Sequence, residues 1–377
     1  MISPKDFVDF LNKFGINFFV GVPDSLLKNL ISFLNTCNNQ NQFHIVANEG
    51  NALAVASGYN LATSDIPVVY MQNSGLGNCI NPLTSLTNKE VYNIPVLLII
   101  GWRGDPDIKD EPQHLLPGKI LKQQLSLLNI PSFEMDRNSN FTQMISEAIT
   151  TLKKNNSPVA ILIKENTFSE FKDKPIVKNS SNVSRKLAIK TILDSVSKND
   201  IILSTTGKAS RELYEIRLNK DENVRDFLTV GSMGHVSSIA LGLSYGLKSK
   251  TNIIILDGDG SCLMHMGSLA ILGASNRKNL KYFLINNGVH DSVGGQETVG
   301  FKVDFRQIAK GCQFQFVKRC SNTKELIATV QSEDFKKSCS FVEILADVEK
   351  PKKLLRPKDS PSHNKENFIK FLRSLEY

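Results

Sequence analysis

Apolar positions along this chain fall into two patterns. In the first, Ser3-Pro4-Lys5-Asp6 leads into Phe7, Phe10, Leu11 and Phe14, and Gly15 follows. A capping serine, a proline at the first helical position, an apolar face at helical spacing and a glycine stop predict a short amphipathic helix. The second pattern is the continuous apolar run rich in β-branched and aromatic residues, at 17–20, 43–47, 67–72, 95–101 and 159–164, with helical stretches in most of the gaps. Strands that are apolar at every position are buried on both faces. This alternation therefore predicts a parallel sheet covered on each side by helices.

The periodicity breaks over 165–184, where Lys, Asn, Ser and Pro accumulate without apolar spacing, as in an interdomain connector. Beyond it the alternation resumes, with strands expected at 200–204, 227–230, 252–256, 281–286 and 340–345. The expected fold class is α/β, with two doubly wound parallel-sheet domains at 1–170 and 185–350. A basic linker and a final helix at 364–375 complete the C-terminal segment, 351–377. The second half repeats the architecture of the first without a sequence repeat at a fixed period.

The 377 residues, 41% hydrophobic and 22% charged, hold enough apolar surface for two cores and exclude a disordered chain. No apolar run approaches the roughly 18 residues of a membrane span, and no signal-peptide stretch opens the sequence, so a soluble, cytoplasmic protein is expected. A net charge of +8 raises the question of nucleic acid. Residues 1–100 nevertheless carry four Lys, no Arg and six Asp or Glu, and the basic excess gathers at 164–190 and 350–358. Solvated connector and tail faces account for that distribution, so neither a nucleic-acid nor a membrane partner is expected. The six cysteines, at 37, 79, 262, 312, 320 and 339, form no CxxC pair and read as reduced, mostly buried thiols.

Candidate chemistry enters where two of the expected strands end. One runs into Asp257-Gly258-Asp259-Gly260-Ser261 and another into Asn286-Asn287-Gly288. In an open α/β sheet, ligands bind beyond the carboxyl ends of strands, so both turns belong to the functional edge. Glycines let backbone N–H groups approach a phosphate, and an Asp carboxylate with an Asn amide oxygen suits a hard cation such as Mg²⁺. Gly258-x-Gly260 fails as a dinucleotide fingerprint because Leu263 stands where a small residue is needed. The discriminating feature is the spacing: Gly-Asp-Gly, twenty-five residues, then Asn-Asn.

That spacing resembles the signature of the thiamine diphosphate enzymes. The resemblance implies thiamine diphosphate and Mg²⁺ as cofactors, with Asp259, Asn287 and the carbonyl of Val289 as metal ligands. It implies that Gly258, Gly260, Ser261, Thr205, Thr206 and Ser232 line the diphosphate. Met233, in Gly231-Ser232-Met233-Gly234-His235, takes the place of the apolar wedge that bends the cofactor. In the first half, Ala47-Asn48-Glu49-Gly50 resembles the element whose Glu hydrogen-bonds the pyrimidine ring and favours its imino tautomer. Without the metal motif, Glu49 would read as a helix-start charge.

Two further loops resemble those that line the reacting carbonyl. Gly21-Val22-Pro23-Asp24-Ser25 offers Asp24 as a proton-handling residue, although Asp24 or Ser25 equally suits a helix N-cap. Asn73-Ser74-Gly75-Leu76-Gly77 would let the cofactor ring pass close to backbone at Ser74, Gly75 and Leu76. No central domain fits between the halves. That layout, with Gly21 to Lys28, Gly101 to Asp105 and Asp110 to His114, is similar to the phosphonopyruvate decarboxylase branch, over nearly the whole chain.

The branch resemblance implies decarboxylation of the 2-oxoacid 3-phosphonopyruvate to phosphonoacetaldehyde and carbon dioxide. A substrate carrying phosphonate and carboxylate needs cationic and hydrogen-bonding groups. Arg103, Lys109, Gln113 and His114, read as a turn-rich loop, would supply them, with Arg103 on the phosphonate and Asp24 or His114 handling protons. His290 and Asp291 are expected near the site without an assigned role. Glu49 and Asp259 lie in different domains, and the resemblance implies a homodimer or higher homo-oligomer with sites between subunits. Sulfopyruvate decarboxylase is the nearest alternative, disfavoured because those enzymes are often split into two chains. A carboligase lacks its central domain here, and retention of Glu49, Asp259 and Asn287 together argues against a noncatalytic module.

Overall fold

The computed structural model describes residues 1–36, 42–171, 183–220, 225–247, 251–348 and 354–375. Its first helix, Pro4–Asn12, begins as its sequence requires: the Ser3 side chain accepts the Asp6 amide, and Phe7, Val8 and Leu11 are buried. Gly15, at φ +77°, turns the chain into the first strand.

Two units make up the chain, one of Met1–Pro175 with Val293–Gln296, the other of Ile176–Ser292 with Glu297–Tyr377. The first holds a parallel sheet whose strands lie in the spatial order Phe43–Ile45, Phe19–Gly21, Val68–Gln72, Leu97–Gly101, Val159–Ile163 and Ser132–Met135. In the second the order is Phe227–Leu228, Ile201–Ser204, Ile253–Gly258, Leu280–Asn286, Ser340–Leu345 and Phe316–Cys320, again all parallel. Taken in chain order within each sheet, both run second, first, third, fourth, sixth, fifth. The two halves therefore share one doubly wound topology.

Alternate residues of each central strand enter opposite cores. Val68, Tyr70, Leu97, Ile99 and Ile161 pack with the first helix, whereas Val69, Met71, Leu98, Ile100 and Leu162 pack on the other face with Leu53 and Leu76. The second sheet divides in the same way, Ile254, Leu256, Phe283 and Ile285 on one side and Ile253, Ile255, Tyr282 and Leu284 on the other. Each such side chain contributes about 1.5–3 kcal/mol of burial.

Two strands of these sheets, and a small separate pair formed by Val289–His290 and Gln296–Glu297, were not expected from the sequence. Ser132–Met135 and Phe316–Cys320 are edge strands and mostly half-buried, so they carry no continuous apolar run. The final helix, Pro361–Ser374, starts three residues ahead of its expected 364, because Ser360 caps it and Pro361 takes the first turn. It packs on the second unit through buried Phe368, and Asn364 hydrogen-bonds Leu228 N and Asp226 O. Most of the expected connector, 172–182, and the start of the linker, 349–353, lie outside the described residues, as does Cys37. Among the described cysteines Cys79, Cys262, Cys320 and Cys339 are buried and Cys312 is half-buried, all as free thiols. No helix of the described residues is long and apolar enough to cross a membrane.

Candidate active site

In each sheet, connections leave in opposite directions from one pair of neighbouring strands, the position where an open α/β sheet forms its crevice. In the first unit that pair is Phe19–Gly21 and Val68–Gln72; in the second it is Ile201–Ser204 and Ile253–Gly258. The candidate residues follow those strands and their neighbours.

Glu49 is the first residue of helix Glu49–Thr63, which Asn48 caps by accepting the Asn51 amide. The helix start buries Glu49, and Asn78 Nδ2 donates to its Oε2 at 2.7 Å. Its other oxygen lies against Gly75, where an added Cβ would overlap the carboxyl group. Ser74 is exposed and accepts from Gln72 Nε2 at 2.7 Å, while Leu76 is buried.

Asp24 is completely buried. Its Oδ2 accepts the amides of Leu26 at 2.9 Å and Leu27 at 3.3 Å, but among the described residues Oδ1 has no hydrogen-bond partner. Burial raises its pKa to about 6, against the opposing pull of those amides and of Arg103. Asp24 thus caps the turn with one oxygen, and the other remains available. Ser25 Oγ accepts from Arg103 Nη1 at 2.9 Å.

Arg103 is anchored on every side. Asn73 Oδ1 accepts its amide at 3.0 Å and Asn73 Nδ2 donates to its carbonyl at 2.8 Å. Asp110 takes its Nε at 2.7 Å and its Nη2 in a fork, and also accepts the amides of Gly104 and Glu111. The Arg103 guanidinium holds the Asp110 carboxyl below the ordinary range despite its partial burial.

The segment expected as a turn-rich loop is different past this point. Gln113 and His114 lie in the first turn of helix Pro112–Leu127, which begins after Glu111, so Pro112 starts a helix instead of continuing a loop. Lys109, ahead of it, is exposed. Gln113 Oε1 and His114 Nδ1 are buried without hydrogen-bond partners among the described residues. Desolvation, with Arg103 nearby, lowers the His114 pKa to about 4, so its ring is neutral near pH 7.

In the second unit the expected strand 252–256 extends two residues further, to Gly258, and Asp259 opens the helix Asp259–Met264. Asp259 is buried; Asn287 N donates to its Oδ1 at 3.3 Å and Thr298 Oγ1 to its Oδ2. Val289 N in turn donates to Asn287 Oδ1 at 3.3 Å. Gly288, at φ +69°, makes the turn between them. Burial pushes the Asp259 pKa up to about 6.

These two hydrogen bonds draw the Asn287 backbone to Asp259 and hold Asn287 Oδ1 beside the Val289 amide; with the Val289 carbonyl, these residues would offer hard oxygen donors. The buried Asp259 carboxylate bears a desolvation cost that a divalent cation would offset. These residues fit such a cation. Among the described residues no cluster of three or more His, Cys, Asp or Glu could serve instead.

Around this set, Thr205 Oγ1 and Ser261 Oγ are 2.8 Å apart, and Gly234 N donates to Ser261 Oγ at 3.1 Å. Thr206 Oγ1 donates to the Val230 carbonyl at 2.8 Å. Exposed Ser232, at φ +51°, and half-buried Met233 lie in the turn before helix Val236–Gly246. A Cβ on Gly260 would sit 2.9 Å from His290 Cε1, so His290 closes over that turn; burial depresses its pKa to about 4. Asp291 is paired with Lys208 and Arg185.

Each unit thus gathers its own candidates at the carboxyl edge of its sheet. Asn78, Asp110 and Thr298, which hold Glu49, Arg103 and Asp259, were not picked out as site residues. Only Asp110 had a local signal, in the segment that resembled the decarboxylase branch.

Comparison with known proteins gives two family matches. Residues 4–127 match the thiamine pyrophosphate enzyme N-terminal TPP binding domain, and residues 205–344 the C-terminal TPP binding domain. The chain is 33% identical over 345 residues to a phosphonopyruvate decarboxylase of Streptomyces viridochromogenes, covering 86% of this chain and 84% of that one. It is 32% identical over 345 residues to the phosphonopyruvate decarboxylase of Streptomyces hygroscopicus, with 86% and 83% covered. A sulfopyruvate decarboxylase of Methanosarcina acetivorans is 25% identical over 369 residues, 92% of each chain. That last match spans both halves, so a single fused chain does not separate the two kinds of decarboxylase.

Proposed function

The chain belongs to the thiamine pyrophosphate enzyme family, as a carboxy-lyase of 2-oxoacids, and we propose that it converts 3-phosphonopyruvate to phosphonoacetaldehyde and carbon dioxide with Mg²⁺ as the metal. The observation that carries the reading is the hydrogen bond from Asn287 N to Asp259 Oδ1, which folds the Gly-Asp-Gly and Asn-Asn turns into one cation-ready edge. The resemblance over 86% of the chain to the two Streptomyces enzymes supports the substrate.

When bound, thiamine diphosphate supplies the nucleophilic carbon and the electron sink into which carbon dioxide departs. Asp259, Asn287 and the Val289 carbonyl would hold Mg²⁺. Gly258, Gly260, Ser261, Thr205, Thr206 and Ser232 would line the diphosphate, and Met233 would support the bent cofactor from below. Glu49, steadied by Asn78, would hold the proton at the pyrimidine ring nitrogen. Ser74, Gly75 and Leu76 would line the ring.

Asp24 is the better proton donor of the two candidates. Its raised pKa allows it to carry a proton on the unpartnered Oδ1 close to neutral pH, whereas neutral His114 has no imidazolium proton to give. His114 and Gln113 instead offer unpartnered polar atoms to the substrate. Arg103 presents a guanidinium fixed by Asp110, and the Ser25 hydroxyl, already accepting from Arg103, is left to donate to the phosphonate. Lys109 adds positive charge at the entrance. In this reading 1–170 is the pyrimidine-binding domain, 185–350 the diphosphate domain and 351–377 the C-terminal linker and helix. The active form is a homodimer or higher homo-oligomer, and the protein works in the cytoplasm.

The test is aldehyde formation by the full chain, with thiamine diphosphate and Mg²⁺, from phosphonopyruvate, sulfopyruvate and pyruvate. Phosphonopyruvate should exceed both others in kcat/KM by at least about tenfold. Preference for sulfopyruvate overturns the substrate, and no turnover of any of the three overturns the activity.

A further inference from the structure

Three consecutive residues just past Asn287 each grip a different part of the second unit. A Cβ on Gly260 would lie 2.9 Å from the His290 ring, so His290 covers the turn that follows Asp259. Asp291 binds two cations, Lys208 Nζ at 2.6 Å through Oδ1 and Arg185 Nη2 at 3.0 Å through Oδ2. Ser292 Oγ accepts the Lys208 amide at 3.3 Å and lies 2.6 Å from where a Gly207 Cβ would stand.

Thr205 and Thr206 are held by Ser261 and the Val230 carbonyl, whereas Gly207, at φ +91°, caps helix Lys208–Asn219 without a side-chain hydrogen bond. Ser292 and the Asp291–Lys208 pair therefore bear on the glycine end of the turn. Arg185 is fixed in turn by a fork to Glu212 at 2.8 and 2.9 Å. The quartet of Lys208, Arg185, Asp291 and Glu212 is charge-balanced, with side-chain exposures of 20%, 12%, 11% and 2%. Its partial burial separates it from an exposed pair, which contributes little. Balanced charge also leaves it poorly suited to bind a diphosphate directly. Its geometry suits a latch between backbone segments.

We propose that Asp291 is a positioning residue: by pairing with Lys208 and Arg185 it lashes the segment carrying Asn287 and Val289 to the Thr205-Thr206-Gly207 turn, and so sets the affinity for thiamine diphosphate and its cation. The inference rests on the cofactor assignment above and adds to it a residue that touches neither cofactor nor substrate. Residues supporting metal ligands typically change affinity by about 10–100-fold when removed.

The experiment is calorimetric titration of thiamine diphosphate into the full-length chain at saturating Mg²⁺, with thermal unfolding of the cofactor-free protein alongside. Asp291→Asn should raise Kd by about 10–100-fold, with Asp291→Glu recovering most of the loss. Lys208→Met should weaken binding as well, and the double variant Asp291→Asn/Lys208→Met should bind no more weakly than the worse single one, since both remove the same latch. Lys190→Ala, which breaks an exposed ion pair with Asp194, serves as the control that leaves Kd alone. If Asp291→Asn and Lys208→Met lower the melting temperature of the cofactor-free protein and leave Kd within about twofold, the pair is only structural and the proposal fails. Should the unaltered chain bind no thiamine diphosphate, the cofactor assignment fails instead, a result distinguishable from the first.

Discussion

Gly75 has no side chain where Glu49 has its carboxyl group. A Cβ at position 75 would overlap Glu49 Oε1, although the Gly75 backbone, at φ −73° and ψ −14°, is one that any residue adopts. The glycine is therefore required by its neighbour and not by its own conformation. Gly75→Ala should still fold, since alanine favours the helical conformation there, with some loss of stability from the displaced buried carboxyl. It should displace Glu49 from Asn78 and lower kcat by about 100-fold, the scale on which a misplaced catalytic group costs rate. Circular dichroism together with steady-state rates checks both parts; a fully active alanine variant would show that Glu49 does not need its present position.

Asp24 gives a pH signature in stability. Its pKa rises from 3.8 unfolded to about 6 folded, so the folded state binds the extra proton between those values. Stability from this group is fully present below about pH 4 and is lost as pH rises through about 6. At 1.36 kcal/mol per unit the loss amounts to about 3 kcal/mol at neutral pH. Asp24→Asn has no such loss. Relative to the parent, its unfolding free energy in urea should improve by about 2.4 kcal/mol between pH 4 and pH 7.5, while turnover collapses. A constant difference across that range would mean Asp24 is ionised throughout. The trade of stability for a buried acid is what a functional carboxyl would leave behind.

Arg103 can be separated from general effects by substrate. Its guanidinium is held by Asp110 and Ser25, so truncation removes a fixed ligand for the distal anion and acts on the keto-acid end only through its charge near Asp24 and His114. Arg103→Ala should reduce kcat/KM for phosphonopyruvate by about 100-fold and that for pyruvate by less than about threefold, in line with one or two charge-assisted hydrogen bonds. Asp110→Asn should give a smaller loss, chiefly in KM, because the arginine stays but loses its fork. Equal losses on both substrates would remove Arg103 from phosphonate recognition.

The residues that could be read directly from the chain are those whose signal is local. Central strands such as Leu97–Gly101 and Leu280–Asn286 are apolar at nearly every position because both faces are covered. Edge strands have no such signature, and Phe316–Cys320, with Lys318 and Arg319 in its middle, shows why. The Gly-Asp-Gly to Asn-Asn spacing worked because two strand ends are neighbours in the parallel sheet. Glu49 was visible beside its capping Asn48. Gln113 and His114 were misplaced because Glu111-Pro112 reads equally as a turn or as a helix start. Asn78 and Thr298 carry no pattern, and only the fold brings them 29 and 39 residues along the chain to Glu49 and Asp259.

Lys281 bears on stability alone. It is the second residue of strand Leu280–Asn286, is fully buried, and its ammonium donates to the carbonyls of Lys278 at 2.8 Å, Phe335 at 2.6 Å, Lys336 at 3.0 Å and Ser338 at 2.6 Å. Three of these carbonyls close the end of helix Glu333–Lys337, where positive charge is favoured. Four acceptors share three protons, so the ammonium is saturated and its burial is offset by carbonyl dipoles instead of a carboxylate. Lys281→Met preserves volume but removes the ammonium from all four carbonyls, although those of Phe335 and Ser338 keep the Ser340 hydroxyl at 3.0 Å. It should cost about 3 kcal/mol, the scale for breaking a buried charged network from one side. Because Lys281 sits at the amino end of its strand, away from Asn287, cofactor affinity at 25 °C should not change. Urea denaturation should show a lower midpoint with an unchanged slope. A variant as stable as the parent would mean that water or a backbone shift satisfies the carbonyls without the lysine.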